Sequence, residues 1–236
     1  MKILPRILLS LIIVFSSIIS FSQHKNDSLQ KTTPPYNIKD YYLLLPDSML
    51  NTLDSNVSLN QRLLALKYKT LEKLWNHKGF WIIDTLDFKN GYMKFSSTGD
   101  GGGIIFEITY FIKKDKTREI AVNKIYWDLA VSYSVVNIYT FNNNTWKDIT
   151  KHVLPVINTS DFLNTEFSDI INKYSENNPV IYHLPEKGKT ITVKIDIGTI
   201  TGLFDNKFIS ETEYMKIKKL LHPINLVWNN GSFFKK

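Results

Sequence analysis

Two acidic residues are the first candidates for catalysis in this chain of 236 residues. Glu107 falls on the polar side of an alternating segment, and Asp128 directly follows the run Ile125-Tyr126-Trp127. Glycosidases cleave sugar bonds with a pair of carboxyl groups, and aromatic rings beside such a pair can hold the sugar. The sequence therefore raises the hypothesis of a glycan hydrolase, which requires the fold to bring these two carboxyl groups close together.

A second candidate site is the glycine-rich segment Gly99-Asp100-Gly101-Gly102-Gly103. Backbone without side chains can approach a ligand closely, so Asp100, Gly101 and Gly102, together with Trp127, are candidate ligand-binding residues. The alternative interpretation is a wide, flexible turn between two strands. A calcium loop needs several oxygen ligands and this segment offers a single carboxylate, so no metal site is predicted here.

Several kinds of active site are absent from the sequence. The chain has no cysteine, no G-x-S-x-G elbow, no Walker loop and no dinucleotide fingerprint. Its five histidines are scattered singly, without the spacing of a zinc motif. The sequence thus predicts neither a metal nor a cofactor, and a non-enzymatic role is favoured over catalysis.

The first 22 residues have the pattern of a secretory signal peptide. Lys2 and Arg6 precede an apolar run over residues 7–19, and Ser20-Phe21-Ser22 offers small residues for cleavage before Gln23. The uncharged stretch is shorter than the roughly 20 residues of a membrane-spanning helix. This leader resembles the signal peptides of secreted bacterial proteins of the Bacteroidota. We expect export to the periplasm or the extracellular space, without stable membrane insertion after cleavage.

The charge of the chain is mildly basic and spread along the sequence. Loss of Lys2 and Arg6 with the leader lowers the formal net charge from +7 to +5. The densest basic run, residues 113–119, is interrupted by acids at a position where we predict a hairpin turn. A nucleic-acid-binding surface usually concentrates its basic residues, so nucleic acid is not expected as a partner.

The mature chain divides into a polar tether and one domain. Residues 23–40 are polar and contain Pro34-Pro35, which predicts a flexible tether, and residues 41–236 form the domain. The run 41–45 suggests a buried extended segment. Capping signals and apolar periodicity predict three helices: from Ser58 over about four turns towards Gly79, over residues 160–174, and from Ser210 to Leu221.

The rest of the domain alternates with the period of β-strands. Residues 104–112 and 190–197 alternate most clearly, and the turn sequences at Asn90-Gly91, residues 142–145 and residues 229–231 predict tight hairpins. The predicted fold is α+β, an antiparallel sheet of about seven to nine strands with about three helices on one face or end. Aromatic residues concentrate in these strands. An exported module that binds an unknown protein or glycan through a sheet face is the leading hypothesis, and a secreted glycan hydrolase is the alternative.

Overall fold

Ten strands and seven α-helices make up the part of the chain that the computed structural model describes, namely residues 36–52, 57–68, 71–76, 79–99, 101–128, 132–175 and 177–236. The predicted signal peptide and most of the predicted tether lie outside these residues. A compact unit spans Asn37–Lys236. None of the helices within the described ranges has the length and apolarity needed to cross a bilayer.

The strands form two antiparallel sheets, where the sequence predicted one. The six-stranded sheet has the order β1 to β6 as a simple meander, with strands Ile82–Asp87, Tyr92–Gly99, Gly102–Ile112, Arg118–Asp128, Ser132–Asn142 and Thr145–Asp148. The four-stranded sheet has the order β10-β9-β8-β7, with β7 Val180–His183, β8 Thr190–Ile195, β9 Ile224–Asn229 and β10 Ser232–Lys235. The α+β class and the antiparallel pairing are as predicted.

The helices are more numerous and shorter than expected. They are α1 Ile38–Leu44, α2 Leu59–Lys67, α3 Leu71–Asn76, α4 Thr150–Val153, α5 Thr165–Tyr174, α6 Ile197–Asp205 and α7 Glu211–Leu220, with single 3-10 turns at Asp47–Leu50 and Thr159–Asp161.

The start of the domain is helical, which corrects the extended segment predicted for residues 41–45. Asn37 and Asp40 form a reciprocal capping box, in which each side chain accepts a hydrogen bond from the backbone N–H of the other residue. This cap starts α1 within residues that the sequence had suggested as tether. Buried Arg62 then donates hydrogen bonds to the carbonyls of Tyr42 and Leu45, which satisfies the end of the helix.

Two other helices also differ from the sequence prediction. The helix expected from Ser58 towards Gly79 is two helices, because Tyr68 at the end of α2 is extended, with φ −114° and ψ 121°. The long helix expected over residues 160–174 is a 3-10 turn followed by α5, which Asn164 caps. The capping box predicted at Ser210 and Glu213 is present and starts α7.

The six-stranded sheet is covered on both faces. On its helix face, aromatic rings of the sheet pack against α1 and the segment after α3, as in the contacts of Phe95 with Tyr42 and Trp81. On its inner face it packs against the four-stranded sheet through one buried cluster, which includes Tyr92, Phe111, Ala121, Val136, Ile138, Val180, Ile191, Val193, Leu226 and Trp228. A separate apolar cluster joins α5, α6 and α7 to Ile195 of β8.

Candidate ligand-binding groove

The edge of the four-stranded sheet is held by side chains of the six-stranded sheet. The hydroxyl of Ser134 accepts from Tyr182 N–H at 2.7 Å and donates to the carbonyl of Val180 at 3.4 Å. Asn123 Nδ2 donates to the carbonyl of Tyr182 at 2.7 Å, and Leu184 N–H donates to a carboxylate oxygen in β3 at 3.0 Å. These contacts come from β5, β4 and β3 in turn, so β7 crosses the three strands instead of running along them.

The carboxylate that receives Leu184 N–H belongs to Glu107, whose expected position on an open polar face is corrected here. Glu107 is 5% exposed because the second sheet covers this part of the inner face. Its other hydrogen bonds come from Tyr92 Oη at 3.1 Å and from Asn123 Nδ2 at 2.8 Å. Three donors therefore form hydrogen bonds with the carboxylate of Glu107. One of them is Leu184 N–H at the edge of the four-stranded sheet, which thus has an acceptor although no further strand pairs with that edge.

Asp128 does not share a site with Glu107. In the β3–β4 register Asp128 lies opposite Gly102, whereas Glu107 lies opposite Asn123. Gly102 and Glu107 are five positions apart in one strand, which is about 17 Å at the usual rise, and side chains at odd separations point to opposite faces. The carboxyl pairs of glycosidases are only about 5–9.5 Å apart, so the structure does not assemble this pair.

The glycine-rich hairpin brings three of the other predicted residues together. The strands pair as far as Gly99 and Gly102, so the hairpin is tight and not the wide turn considered from the sequence. Gly101 has a φ of +85° in the turn. Beside it, a Cβ atom added to Gly103 would lie 2.8 Å from Cζ2 of Trp127. The indole thus lies directly on bare backbone. Asp100 falls outside the described residues.

Trp127 belongs to a part of the inner face that the four-stranded sheet leaves open. By the alternation of the strands, this floor also includes Ser96, Ile105, Ile125 and Ser132. Ile125 is buried, and the other four residues are half-buried. Since β7 stands edge-on to this face, Val180 and Tyr182 of β7 and Leu184 directly after it point towards the core between the sheets. The alternate residues point over the floor.

The outward face of the four-stranded sheet forms the wall above this floor. Ile181 and His183 of β7 lie opposite Lys194 and Thr192 of β8, so these four residues share one face. Ile181 is buried although it points away from the main core, as expected for a residue at the corner where wall and floor meet. We call the floor and this wall together the groove.

Charges gather at the Glu107 end of the groove. Lys94 lies directly opposite Glu107 in the β2–β3 register. Partial burial of the imidazole lowers the pKa of His183, the charge of Glu107 raises it, and the charges of Lys194 and Lys94 lower it. The imidazole therefore lies within the electrostatic reach of all three groups. At the opposite end, Asp196 accepts hydrogen bonds from the N–H groups of Ser132 and Thr199.

A second concavity of about 660 Å³ lies between α6 and α7. Phe204 and Phe208 line it, and their rings stack on Tyr214 at 4.9 Å and on Tyr174 at 4.2 Å respectively. Three acids line it, namely Asp205, Glu211 and Glu213, and Glu213 is engaged by the capping box with Ser210. Each of its two phenylalanine rings thus stacks on a neighbouring tyrosine, and part of its polar lining is used by the helix cap.

In the described ranges no group of three or more His, Asp or Glu side chains is arranged to hold a metal ion.

The sequence did not single out Lys94, His183 or Lys194 as site residues. Period-two alternation places each on a strand face, but only the packing of one sheet against another brings the three together. Trp127 was identified because it belongs to the aromatic run before Asp128, and aromatic rings on an outward strand face can stack on sugars.

Comparisons with known proteins support the fold and give no function. No family model matches the chain, and no curated protein matches it. A similar solved structure is described as a domain of an uncharacterized protein from Porphyromonas gingivalis W83. It is 16% identical, has a TM-score of 0.52, and the match covers 84% of this chain and 97% of that chain.

Proposed function

We propose that this protein is an exported, non-enzymatic binding module that holds a glycan in the groove, with a sugar ring stacked on Trp127. The observation that carries the proposal is the contact of the indole with the bare backbone of Gly103 at the open end of the sheet. This contact fixes the orientation of the ring, and a fixed ring loses little conformational entropy when a ligand stacks on it.

The surroundings of Trp127 suit a sugar better than an apolar peptide. Ile105 and Ile125 provide a short apolar floor, while hydroxyl groups flank it on both sheets. No hydrogen bond within the described part of the chain engages the hydroxyls of Ser96, Ser132 and Thr192. Sugars combine apolar ring faces with hydroxyl edges, so they match a surface of this composition.

Catalysis is the weaker proposal for the same protein. The carboxyl groups of Glu107 and Asp128 belong to opposite faces of the sheet, and donors of both sheets occupy Glu107. A hydrolase would need an acid and a second carboxylate on the same side of the sugar bond. We therefore expect no turnover of bound glycans.

An array of immobilised neutral, uronic-acid and sulfated oligosaccharides tests the proposal. We expect the purified mature chain to bind a subset of these glycans, and Trp127→Ala to lose at least about tenfold in affinity for them, as stacking of an aromatic ring predicts. Trp127→Tyr keeps a ring on Gly103 and should retain most of the binding.

Tyr133→Ala is the matched control, because Tyr133 stacks on Tyr126 at 4.9 Å on the helix face of the same end of the sheet. Its binding should equal that of the wild type. Binding that survives Trp127→Ala in a folded variant, or is lost only in Tyr133→Ala, would refute the groove as the site. A chain that binds no glycan on the array would refute the function itself.

A further inference from the structure

The open floor of the groove crosses the strands in two rows of residues. Within each row the residues lie directly opposite one another in the strand registers. The outer row, nearest the ends of the strands, consists of Thr98, Gly103, Trp127 and Ser132 on β2 to β5. The inner row consists of Ile82, Ser96, Ile105 and Ile125 on β1 to β4. Since neighbouring strands are about 4.8 Å apart, each row extends about 14 Å across the sheet.

Along the strands the floor is only two rows deep. On one side the strands end, because Trp127 is the last residue but one of β4 and Ser132 is the first residue of β5. On the other side the next row lies under the four-stranded sheet, where Glu107, Asn123 and Val136 are at most 8% exposed. The two open rows are about 7 Å apart. The floor is therefore about twice as long across the strands as it is wide along them.

The wall follows the long direction of the floor. Residues of β7 form hydrogen bonds with Ser134 of β5 and Asn123 of β4, and Leu184 directly after β7 binds Glu107 of β3. Because these partners lie on three successive strands, the wall also runs across the sheet. Floor and wall together give the groove one long axis, at a right angle to the six strands.

Polarity changes along this axis. The indole of Trp127 lies over Gly103 of the neighbouring strand, which places the ring at the middle of the outer row. Hydroxyl side chains lie towards the two ends, Ser132 on β5 and Ser96 and Thr98 on β2. A sugar ring stacked on Trp127 therefore leaves space on the floor for a further sugar unit on either side, where hydroxyl groups can bind it.

We propose that the ligand is an unbranched glycan chain that lies along the groove, across the strands, and fills it with about three or four sugar units. This inference rests on the proposed function and narrows its ligand class. One pyranose unit lengthens an extended glycan by about one strand spacing, roughly 5 Å, so the length of the floor matches such a chain. The width of about 7 Å takes a single chain, and a branch directed towards β7 would collide with the wall.

Calorimetric titration with linear oligosaccharides of different lengths tests this inference. The series contains chains of one to eight units from the class that binds best on the array. We expect the affinity of the mature chain to rise at least about tenfold from one unit to four, because the added units gain hydrogen bonds, and then to level off. A four-unit isomer with a sugar branch on a central unit should bind at least about tenfold more weakly than the linear chain.

The double variant Ser96→Ala, Thr98→Ala removes the hydroxyl groups at the β2 end of the groove. It should lose about fivefold in affinity for the four-unit chain, as the loss of hydrogen bonds predicts, and nothing for a single sugar, which contacts only the middle of the floor. Ser97→Ala is the matched control, because Ser97 lies between these residues on the opposite face of β2. Its affinities should equal those of the wild type.

The possible outcomes separate this inference from the proposed function. If a single sugar binds as tightly as the four-unit chain and both depend on Trp127, the proposed function stands and the extended chain is wrong. An affinity that keeps rising beyond four units, or a branched isomer that binds as well as the linear chain, would also overturn the inference. Equal weakening by Ser97→Ala would contradict the assigned floor. If no glycan binds, both proposals are wrong.

Discussion

The N–H of Leu184 donates a hydrogen bond to Glu107 Oε2 at 3.0 Å, across a sequence separation of 77 residues. This bond joins the edge of the four-stranded sheet to the middle of the six-stranded sheet. Together with the hydrogen bonds of Asn123 and Ser134, it sets the angle between the two sheets, and that angle creates the groove. A residue that resembled a catalytic acid in the sequence therefore has a structural role on which the geometry of the proposed site depends.

Replacement of Glu107 should destabilise the fold. Glu107→Ala leaves Tyr92 Oη and Leu184 N–H without their buried acceptor, and each such loss costs about 1–3 kcal/mol. We expect the free energy of unfolding, measured with urea, to fall by about 2–4 kcal/mol. Glu186→Ala at an exposed loop position should change it by less than about 0.5 kcal/mol. A Glu107→Ala variant as stable as wild type would contradict the structural role.

Glu119 makes the stability depend on pH in the opposite sense from an ordinary surface acid. It is 3% exposed, and its Oε2 atom has no hydrogen-bond partner. Burial raises its pKa, although Lys113 at 3.4 Å lowers it. A raised carboxyl pKa means that the folded state binds the proton more tightly than the unfolded state, so ionised Glu119 reduces stability above that pKa.

Glu119→Gln should therefore unfold at higher urea concentration than wild type at pH 7.5. The difference should shrink as the pH falls and Glu119 of the wild type takes up its proton. Urea titrations of both proteins between pH 7.5 and pH 4 measure this difference. A variant less stable than wild type at pH 7.5 would mean that the ion pair with Lys113 outweighs the burial of the carboxylate.

Protonation of His183 should make the fold less stable at acidic pH. Its folded pKa lies below the ordinary value, first because of burial and then because Lys194 and Lys94 lie near, with Glu107 acting in the other direction. The unfolded chain then binds the proton more readily, so the stability that neutral His183 contributes is fully present above about pH 6.5 and is lost as the pH falls through the folded pKa.

The matched variant is His183→Gln, which removes the titration. As the pH falls below about 6.5, the free energy of unfolding of the wild type should decrease relative to that of His183→Gln. His152→Gln, at an exposed position of α4, should show no such trend relative to wild type. A constant difference across this range for His183→Gln would contradict a lowered pKa of His183 in the folded protein.

Gly103 should accept no side chain. An added Cβ atom would lie 2.7 Å from the carbonyl oxygen of Ser97 and 2.8 Å from the indole of Trp127. We expect Gly103→Ala to lose about 1–3 kcal/mol of stability through overpacking and to weaken glycan binding, because the indole must move. Gly99→Ala in the same hairpin meets no atom within 4 Å and should bind as wild type does. If Gly103→Ala binds glycans as tightly as Gly99→Ala does, the position of the indole does not determine glycan recognition.

Local signals allowed much of this fold to be predicted. Asn143 and Asn144 have φ angles of 49° and 58°, and Gly231 has 110°, as tight hairpins in those sequences require. Helix α6 was missed because Ile197 continues the alternation of β8 and the next residues, Thr199, Ile200 and Thr201, are β-branched. The side chain of Asp196 caps the helix at Thr199 N–H and overrides that preference.

The groove could be predicted only in part. Alternation assigned Glu107 and Thr109 to one face of β3, but it carries no information on whether another sheet covers that face. Both are buried, while Ser96 and Trp127 on the same face are not. The difference arises from the crossing of β7, which depends on hydrogen bonds between residues far apart in sequence.

The most direct test follows the indole N–H signals of the five tryptophans by nuclear magnetic resonance during titration with the oligosaccharide that binds best on the array. Binding in the groove predicts a large, saturable shift of the Trp127 signal, while the signal of Trp75, 67% exposed on α3, stays in place. A saturable shift of Trp75 with an unmoved Trp127 signal would contradict the account.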